Sequence, residues 1–294
     1  VMTVQGTSTA QLNNASMEMI KEAIYTMEHS APNKALVRTF TLEQGHDTMV
    51  IPKVGQMTFM AINETEKNTN EMDLGMTTTS VTTSIVGGKV ILTDTVLRDN
   101  ALDLWQIAGQ QIGDAAARRM ERAIIALYTG LNGGTSYGAA GAPFSAEMVL
   151  NAIATAKTNK MGMRLHIIHH PNAILRLSKE LSTIGAGGSA LPSPRGFSED
   201  RLADFFKGIV LGGVPFFETG EIDRDTNNDA IGVIKQRDAI GILQAGEVRR
   251  KKVRDESIGE GVWVLYVTHR YAGFEMDDAK GAPMTYAAAT PPTS

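Results

Sequence analysis

Thr48-Met-Val-Ile-Pro-Lys-Val-Gly-Gln-Met-Thr-Phe-Met-Ala-Ile62 and Thr77-Thr-Thr-Ser-Val-Thr-Thr-Ser-Ile-Val-Gly-Gly-Lys-Val-Ile-Leu92 are two runs dense in β-branched residues, with apolar positions loosely alternating with polar ones. Both predict strands. Between them Asn63-Glu-Thr-Glu-Lys-Asn-Thr-Asn-Glu-Met-Asp-Leu-Gly75 is too polar for a core and suits the tip of a two-stranded arm. A hairpin standing alone is marginal in water, so its half-apolar faces require a partner surface. Strands of this length reach about 40 to 50 Å at roughly 3.3 Å per residue, beyond the radius of a domain this size. The partner expected from this length is another subunit.

Directly after the second run, Asp99-Asn100 offers a cap to a long amphipathic helix, in which Leu102, Trp105, Ala108, Ile112, Ala116, Met120, Ala123 and Leu127 recur every three or four residues. The helix expected over 101–130 is about 45 Å long at 1.5 Å per residue, with Gly130 and Gly133-Gly134 as its stop. Trp105, Ile112, Met120 and Leu127 mark its core-facing side.

Upstream, residues 1–15 are small and polar and read as an arm, and Ser16 to Met27 predicts a short helix ended by His29-Ser-Ala-Pro32. Downstream, the Gly- and Ala-rich stretch 135–142 reads as a junction, after which helices and strands intermix. Ser145 caps a helix through Lys160, with Met148, Ile153 and Ala156 on one side. Arg164 to His170 is a short buried strand, and a helix follows from Asn172 to Leu181. After the loop 185–196 come a helix at 198–206 and strands at 208–217, 230–235 and 239–243. Glu247 to Arg254, Val262 to Tyr271 and a last strand pair within Phe274 to Tyr286 complete an α+β chain.

Composition narrows the function. With 43% hydrophobic and 20% charged residues the 294-residue chain can bury an ordinary core. A net charge of −4 leaves no basic surplus for gripping nucleic acid. No apolar run is long enough to span a membrane, and the first residues lack the pattern of a signal peptide. The absence of cysteine removes disulfides, thiolate metal sites and a cysteine nucleophile together.

The order of parts resembles the major capsid protein of tailed double-stranded DNA bacteriophages, the Hong Kong 97-like fold. Those parts are an N-terminal arm, a hairpin arm, Gly88-Lys-Val-Ile-Leu-Thr-Asp94 leading into a long helix, an α+β lobe and a returning strand pair. Two passages add to it: Asp229-Ala-Ile-Gly-Val-Ile-Lys-Gln-Arg-Asp-Ala-Ile-Gly-Ile-Leu243, and Trp263-Val-Leu-Tyr-Val-Thr-His-Arg-Tyr-Ala-Gly-Phe-Glu-Met276 with Gly281-Ala-Pro after it. The resemblance implies an N-terminal arm and short helix at 1–42 and an E-loop at 43–92. It implies a P-domain of the spine helix at 93–140, with returning strands at about 247–271, and an A-domain from 141–246 and 272–290. It further implies self-assembly into pentamers and hexamers of an icosahedral shell, without enzymatic activity or cofactor. The shell is expected to enclose DNA without sequence-specific binding, to use a separate scaffolding protein and a portal, and to carry a decoration protein in some members. Assembly is expected in the bacterial host cytoplasm. No charged-helix scaffolding segment precedes the arm, so it is either cleaved or supplied by a separate protein. Lys67, at the tip, matches the place where some members crosslink, but reads here as a surface lysine.

Several local patterns carry competing chemical readings. His166-Ile-Ile-His-His170 puts His166 and His170 on one strand face and His169 on the other, which suits a histidine-flanked strand end better than a metal centre. Asp223-Arg-Asp-Thr-Asn-Asn-Asp229 lacks the glycine and glutamate of a calcium loop and reads as an Asx-rich turn. Gly185-Ala-Gly-Gly-Ser lacks the Gly-Lys-Ser/Thr of a phosphate cradle. Arg249, Arg250, Lys251, Lys252 and Arg254, beside Asp255 and Glu256, form the basic cluster, either a solvated charged hairpin or an inter-subunit ion-pair surface, with a DNA-binding patch as the third reading. With Glu64, Lys67 and Glu71 of the arm tip, they are the expected inter-subunit contacts. Two alternatives remain: an encapsulin-like compartment shell, which shares the fold, and an oligomeric α/β enzyme with a β-arm contact, for which no nucleophile elbow or similar signature is present.

Overall fold

A computed structural model describes residues 32–43, 45–53, 75–99, 104–162, 164–183, 210–246, 248–257 and 261–290. The N-terminal arm with its helix at 16–27, the arm tip with Glu64, Lys67 and Glu71, the loop 185–196 and the helix 198–206 lie outside the described residues.

The two β-branched runs divide at Thr83. Strand β2 (Thr48–Lys53) pairs antiparallel with β3 (Thr77–Thr82), Thr48 opposite Thr82 and Lys53 opposite Thr77. Strand β4 (Ser84–Thr93) then leaves the arm and pairs along its whole length with β12 (Val262–Glu275). Thr83 is buried at this corner, its backbone N–H and hydroxyl both donating to the Asp47 carbonyl. The second run is therefore two strands in two sheets, where periodicity predicts one.

Strand β12 is the axis of a five-stranded sheet. Strands β10 (Ile240–Gln244) and β11 (Arg249–Asp255) lie end to end along one of its edges, with β4 along the other. Strand β1 (Arg38–Thr41) runs parallel to β10. A second, mixed sheet is built from β5 (Tyr137–Pro143), β6 (Leu165–His169), β7 (Val210–Leu211), β8 (Val214–Glu218), β9 (Asp229–Gln236) and β13 (Gly281–Ala287), in the order β5-β13-β9-β6-β8-β7. The expected strand pair within 274–286 does not form. Phe274 belongs to β12, and after a 3-10 turn at Asp278–Lys280 the chain enters the other sheet as β13.

After a short helix α1 (Asp94–Asp99), the spine helix α2 spans Leu104–Ile125. It ends before the glycines because Tyr128 and Leu131, both fully buried, are drawn into the core through a 3-10 segment at Tyr128–Gly134. Of the residues expected to face the core, Met120 is buried, while Trp105, Ile112 and Leu127 are half-buried. Ile124 and Tyr128 carry the deeper contacts. Strand β12 comes so close to the helix that a Cβ on Gly273 would stand 3.3 Å from Leu127 Cδ1.

In the second lobe, Ser145 caps α3 (Ala146–Thr158) by accepting from the Met148 N–H, as its sequence position predicts. Val149, Ala152, Ile153 and Ala156 form the buried stripe, and Met148 lies outside it, exposed. Helix α4 covers Pro171–Thr183. One apolar cluster joins the lobes: Ile124, Tyr128 and Leu131 from the spine, Ile240, Ile242 and Tyr271 from the five-stranded sheet, and Ile167, Val233, Ile234, Met284 and Tyr286 from the six-stranded sheet.

Candidate assembly surfaces

Side chains alternate along β11, so Arg250, Lys252 and Arg254 share one face and Arg249, Lys251 and Val253 the other. Lys252 lies over two rings, its Nζ 3.8 Å from the ring centroid of Trp105 and 4.3 Å from that of Trp263, two indoles that meet edge to face at 6.3 Å. Arg254 stacks on Trp263 and pairs with Asp94 at 2.9 Å. Two of the residues expected to reach another subunit are thus used within the chain, tying the returning strand to the start of the spine. Glu256 lies 3.8 Å from Arg254, and Asp255 is held by Ser257, whose hydrogen bonds keep its carboxyl below the ordinary range. Arg249, Arg250 and Lys251 are exposed on the outer edge of the sheet. A row of cations on an open edge also discourages indiscriminate strand pairing.

The root of the arm lies on its own subunit. Met49, Ile51 and Val81 pack against Leu42, Leu243 and Phe274, and Lys53 pairs with Asp277 at 2.6 Å. The half-apolar face expected to need a neighbour is covered here by β10 and β12. The opposite face of the arm is an uncharged row of Thr48 with Thr82, Val50 with Ser80, and Pro52 with Thr78, with Val50 58% exposed.

At that root a cleft of about 760 Å³ opens between the start of the arm, the β10–β11 turn and β12. Leu42, Ile85 and Val248 give it an apolar wall, and Glu43, Arg249 and Arg270 supply charge. Ile85 is 68% exposed, and the Nε of Arg270 is buried without a hydrogen-bond partner among the described residues.

Just ahead of β1, a buried polar network pins the incoming chain. Asn33, fully buried, donates its N–H and its Nδ2 to Glu121 at 3.2 and 2.6 Å and accepts from the Tyr128 hydroxyl. Lys235, also fully buried, donates to the Leu36 carbonyl at 2.7 Å. Burial raises the Glu121 carboxyl above its ordinary value against the pull of its hydrogen bonds from Asn33 and Thr219, and brings Lys235 down to about 7, partly offset by Glu121. Arg118 and Arg122 on the spine meet Glu221 of the second lobe at 3.5 and 2.6 Å. Periodicity misses this network, since Glu121 and Lys235 look like ordinary surface residues. The weak signals are an acidic residue between Met120 and Ile124 and a lysine closing the apolar run 230–234.

The histidines serve the fold. His166 and His169 are buried in β6, His169 with its ring 4.8 Å from that of Phe144, and burial brings both down to about 3. His170 accepts from the Asn172 N–H at the start of α4. The Asp223–Asp229 segment is the expected Asx turn: Asp225 accepts from the N–H of Asn227 and of Asp229, and Asn228 takes the left-handed conformation. Among the described residues no helix is long and apolar enough to cross a membrane.

A spine helix laid across a five-stranded sheet, a two-stranded arm at its root and a mixed second lobe define the Hong Kong 97-like capsid fold. The capsid of cyanophage P-SCSP1u superposes with a TM-score of 0.68 at 12% identity, covering 96% of each chain. The capsid of the native GTA particle gives 0.65 at 14%, covering 97% of this chain and 100% of that one. The holo-SrpI encapsulin complex from Synechococcus elongatus gives 0.64 at 13%, covering 99% of each. At such identities these likenesses establish the fold alone. No curated protein sequence matches the chain significantly. The sequence model of the family described as phage capsid protein matches residues 76–282, more than two thirds of the chain. The chain belongs to the phage capsid protein family, and its role is that of a structural shell subunit.

Proposed function

We propose that this subunit is the major capsid protein of a tailed phage, closing with copies of itself into an icosahedral shell of pentamers and hexamers around double-stranded DNA. The observation that carries the reading is the family match over 76–282, which runs from the arm through the spine and both sheets. The six-stranded lobe is the axial part of each capsomer, and the spine with the five-stranded sheet is the peripheral part. The exposed Arg249, Arg250 and Lys251, together with Glu64, Lys67 and Glu71 of the arm tip, meet neighbouring subunits. Many weak contacts suffice, because closure multiplies them. DNA is enclosed and not read, in keeping with a mildly acidic subunit. A separate scaffolding protein, a portal and, on the outside, a decoration protein are the expected partners, with assembly in the host cytoplasm.

The test is the content of purified particles. Nuclease-protected double-stranded DNA supports the phage reading. Particles filled with a single protein cargo and no DNA replace it with the encapsulin-like reading, whose fold this chain shares.

A further inference from the structure

We propose that the free edge of β11, with the cleft at its start, docks an extended acidic segment of a separate protein as a further strand of the five-stranded sheet. The inference rests on the shell reading and adds a second protein at the junction where Arg249, Arg250 and Lys251 meet a neighbouring subunit. Three observations carry it.

The outermost row of the sheet is half built. Strand β1 runs parallel along β10, from Arg38 opposite Gly241 to Thr41 opposite Gln244, and the Leu42 N–H still donates to the Gln244 carbonyl at 2.8 Å. Past the β10–β11 turn the same edge continues as the seven residues of β11, which pair with β12 alone among the described residues. Backbone N–H and C=O groups on the other side of β11 are thus open to an added strand. The cleft of about 760 Å³ lies where β1 stops and β11 begins, lined by Glu43 and His46 of the one and Val248 and Arg249 of the other connection, so the end of such a strand finds space there.

The charge on this edge has a strand's spacing. Arg249 and Lys251, both exposed, stand two residues apart on one face of β11, while Lys252 and Arg254 on the other face are taken up by Trp105, Trp263 and Asp94. Arg249 lies opposite Thr268 of β12, and Arg270, two residues further along, shares that face and lines the cleft. Its Nε is buried with no hydrogen-bond partner among the described residues, and Glu43 is the one carboxylate of the cleft lining. An extended segment with a carboxylate at every second residue places them all on one face, in register with Arg249 and Lys251.

The apolar part of the site selects protein over nucleic acid. Ile85 and Val248, 68% and 38% exposed, give the cleft aliphatic side chains open to water. A peptide offers side chains to that wall and main-chain hydrogen bonds to the β11 edge, whereas the phosphate backbone of duplex DNA offers neither.

The probe is a fluorescent synthetic peptide of alternating glutamate and valine, as long as β11, titrated into purified particles and followed by anisotropy. Saturable binding is expected, with none for the same peptide carrying lysine in place of glutamate. Arg249→Glu with Lys251→Glu should weaken it about tenfold or more. On unsubstituted particles, carbodiimide is expected to join the peptide's carboxylates to Lys251 and not to Lys252, as peptide mass mapping will show. Particles that leave the peptide unbound, as when another copy of this chain covers the edge, overturn the assignment and leave the shell reading standing. So do links that avoid Lys251, or displacement of the peptide by a short DNA duplex. Failure of the unsubstituted chain to form particles by electron microscopy overturns the shell reading and this inference with it.

Discussion

Lys252 places its ammonium 3.8 Å from the ring centroid of Trp105, joining the returning strand to the first turn of the spine helix. The contact explains how β11 carries so many cations side by side: Lys252 is held on two indoles and Arg254 on Asp94. At an exposed site such a cation–π contact is worth about 0.5–1 kcal/mol. Lys252→Ala is expected to lower the stability of the disassembled subunit in urea by about 1 kcal/mol, since two rings lose their cation. Arg250→Ala, an exposed residue on the same face, should change it by less than about 0.5 kcal/mol. Equal effects of the two would contradict this division of labour on β11.

The network around Asn33 should be far more sensitive. Glu121→Ala removes the acceptor of both Asn33 donors and a carboxylate that favours charged Lys235, leaving buried groups unsatisfied. A loss of about 3–5 kcal/mol is expected, with Glu121→Gln losing less because it keeps an acceptor for Asn33. Guanidinium unfolding of both variants checks the order, and an Ala variant as stable as the parent would deny the network a structural role.

Stability should also depend on pH in two windows. Lys235 has a folded value of about 7 against 10.5 ordinarily. Between these the unfolded chain holds a proton that the folded chain does not, so stability rises with pH across that range, by at most about 1.4 kcal/mol per unit. His166 and His169 behave alike lower down: with folded values of about 3 against 6.5, their contribution is complete above 6.5 and is lost as pH falls towards 3. Lys235→Met should flatten the upper window and keep the His169 share of the lower one, while the His166 share narrows because the charge of Lys235 helps to hold that imidazole down; denaturation midpoints at a series of pH values will show this.

Much of this architecture was legible in the residues because it depends on local pattern. The Ser145 cap, the buried strand ending at His169 and the spine helix all follow from periodicity and capping, which are short-range. What escaped depends on contacts distant in sequence. Thr83 looks like any other threonine in a β-branched run, and only its bonds to the Asp47 carbonyl show that the arm ends there. The cations of β11 likewise look alike along the chain. Lys252 and Arg254 separate from Arg249, Arg250 and Lys251 only once Trp105, Trp263 and Asp94 converge on them in space.

Removing the distal arm separates folding from assembly. Deletion of Gln56 to Met76 spares the β2–β3 ladder and the packing of Met49, Ile51 and Val81 on the five-stranded sheet. The shortened subunit is expected to remain folded by circular dichroism and to form no shells. Normal shells from it would remove the assembly role assigned to the arm.

The most direct test of the central claim is the size distribution of the purified chain by light scattering, with electron microscopy of its largest fraction. Closed shells, or discrete pentamers and hexamers that convert to them, are the predicted result. A sharp dimer or tetramer that persists at high concentration, even with a candidate scaffolding protein added, would contradict it.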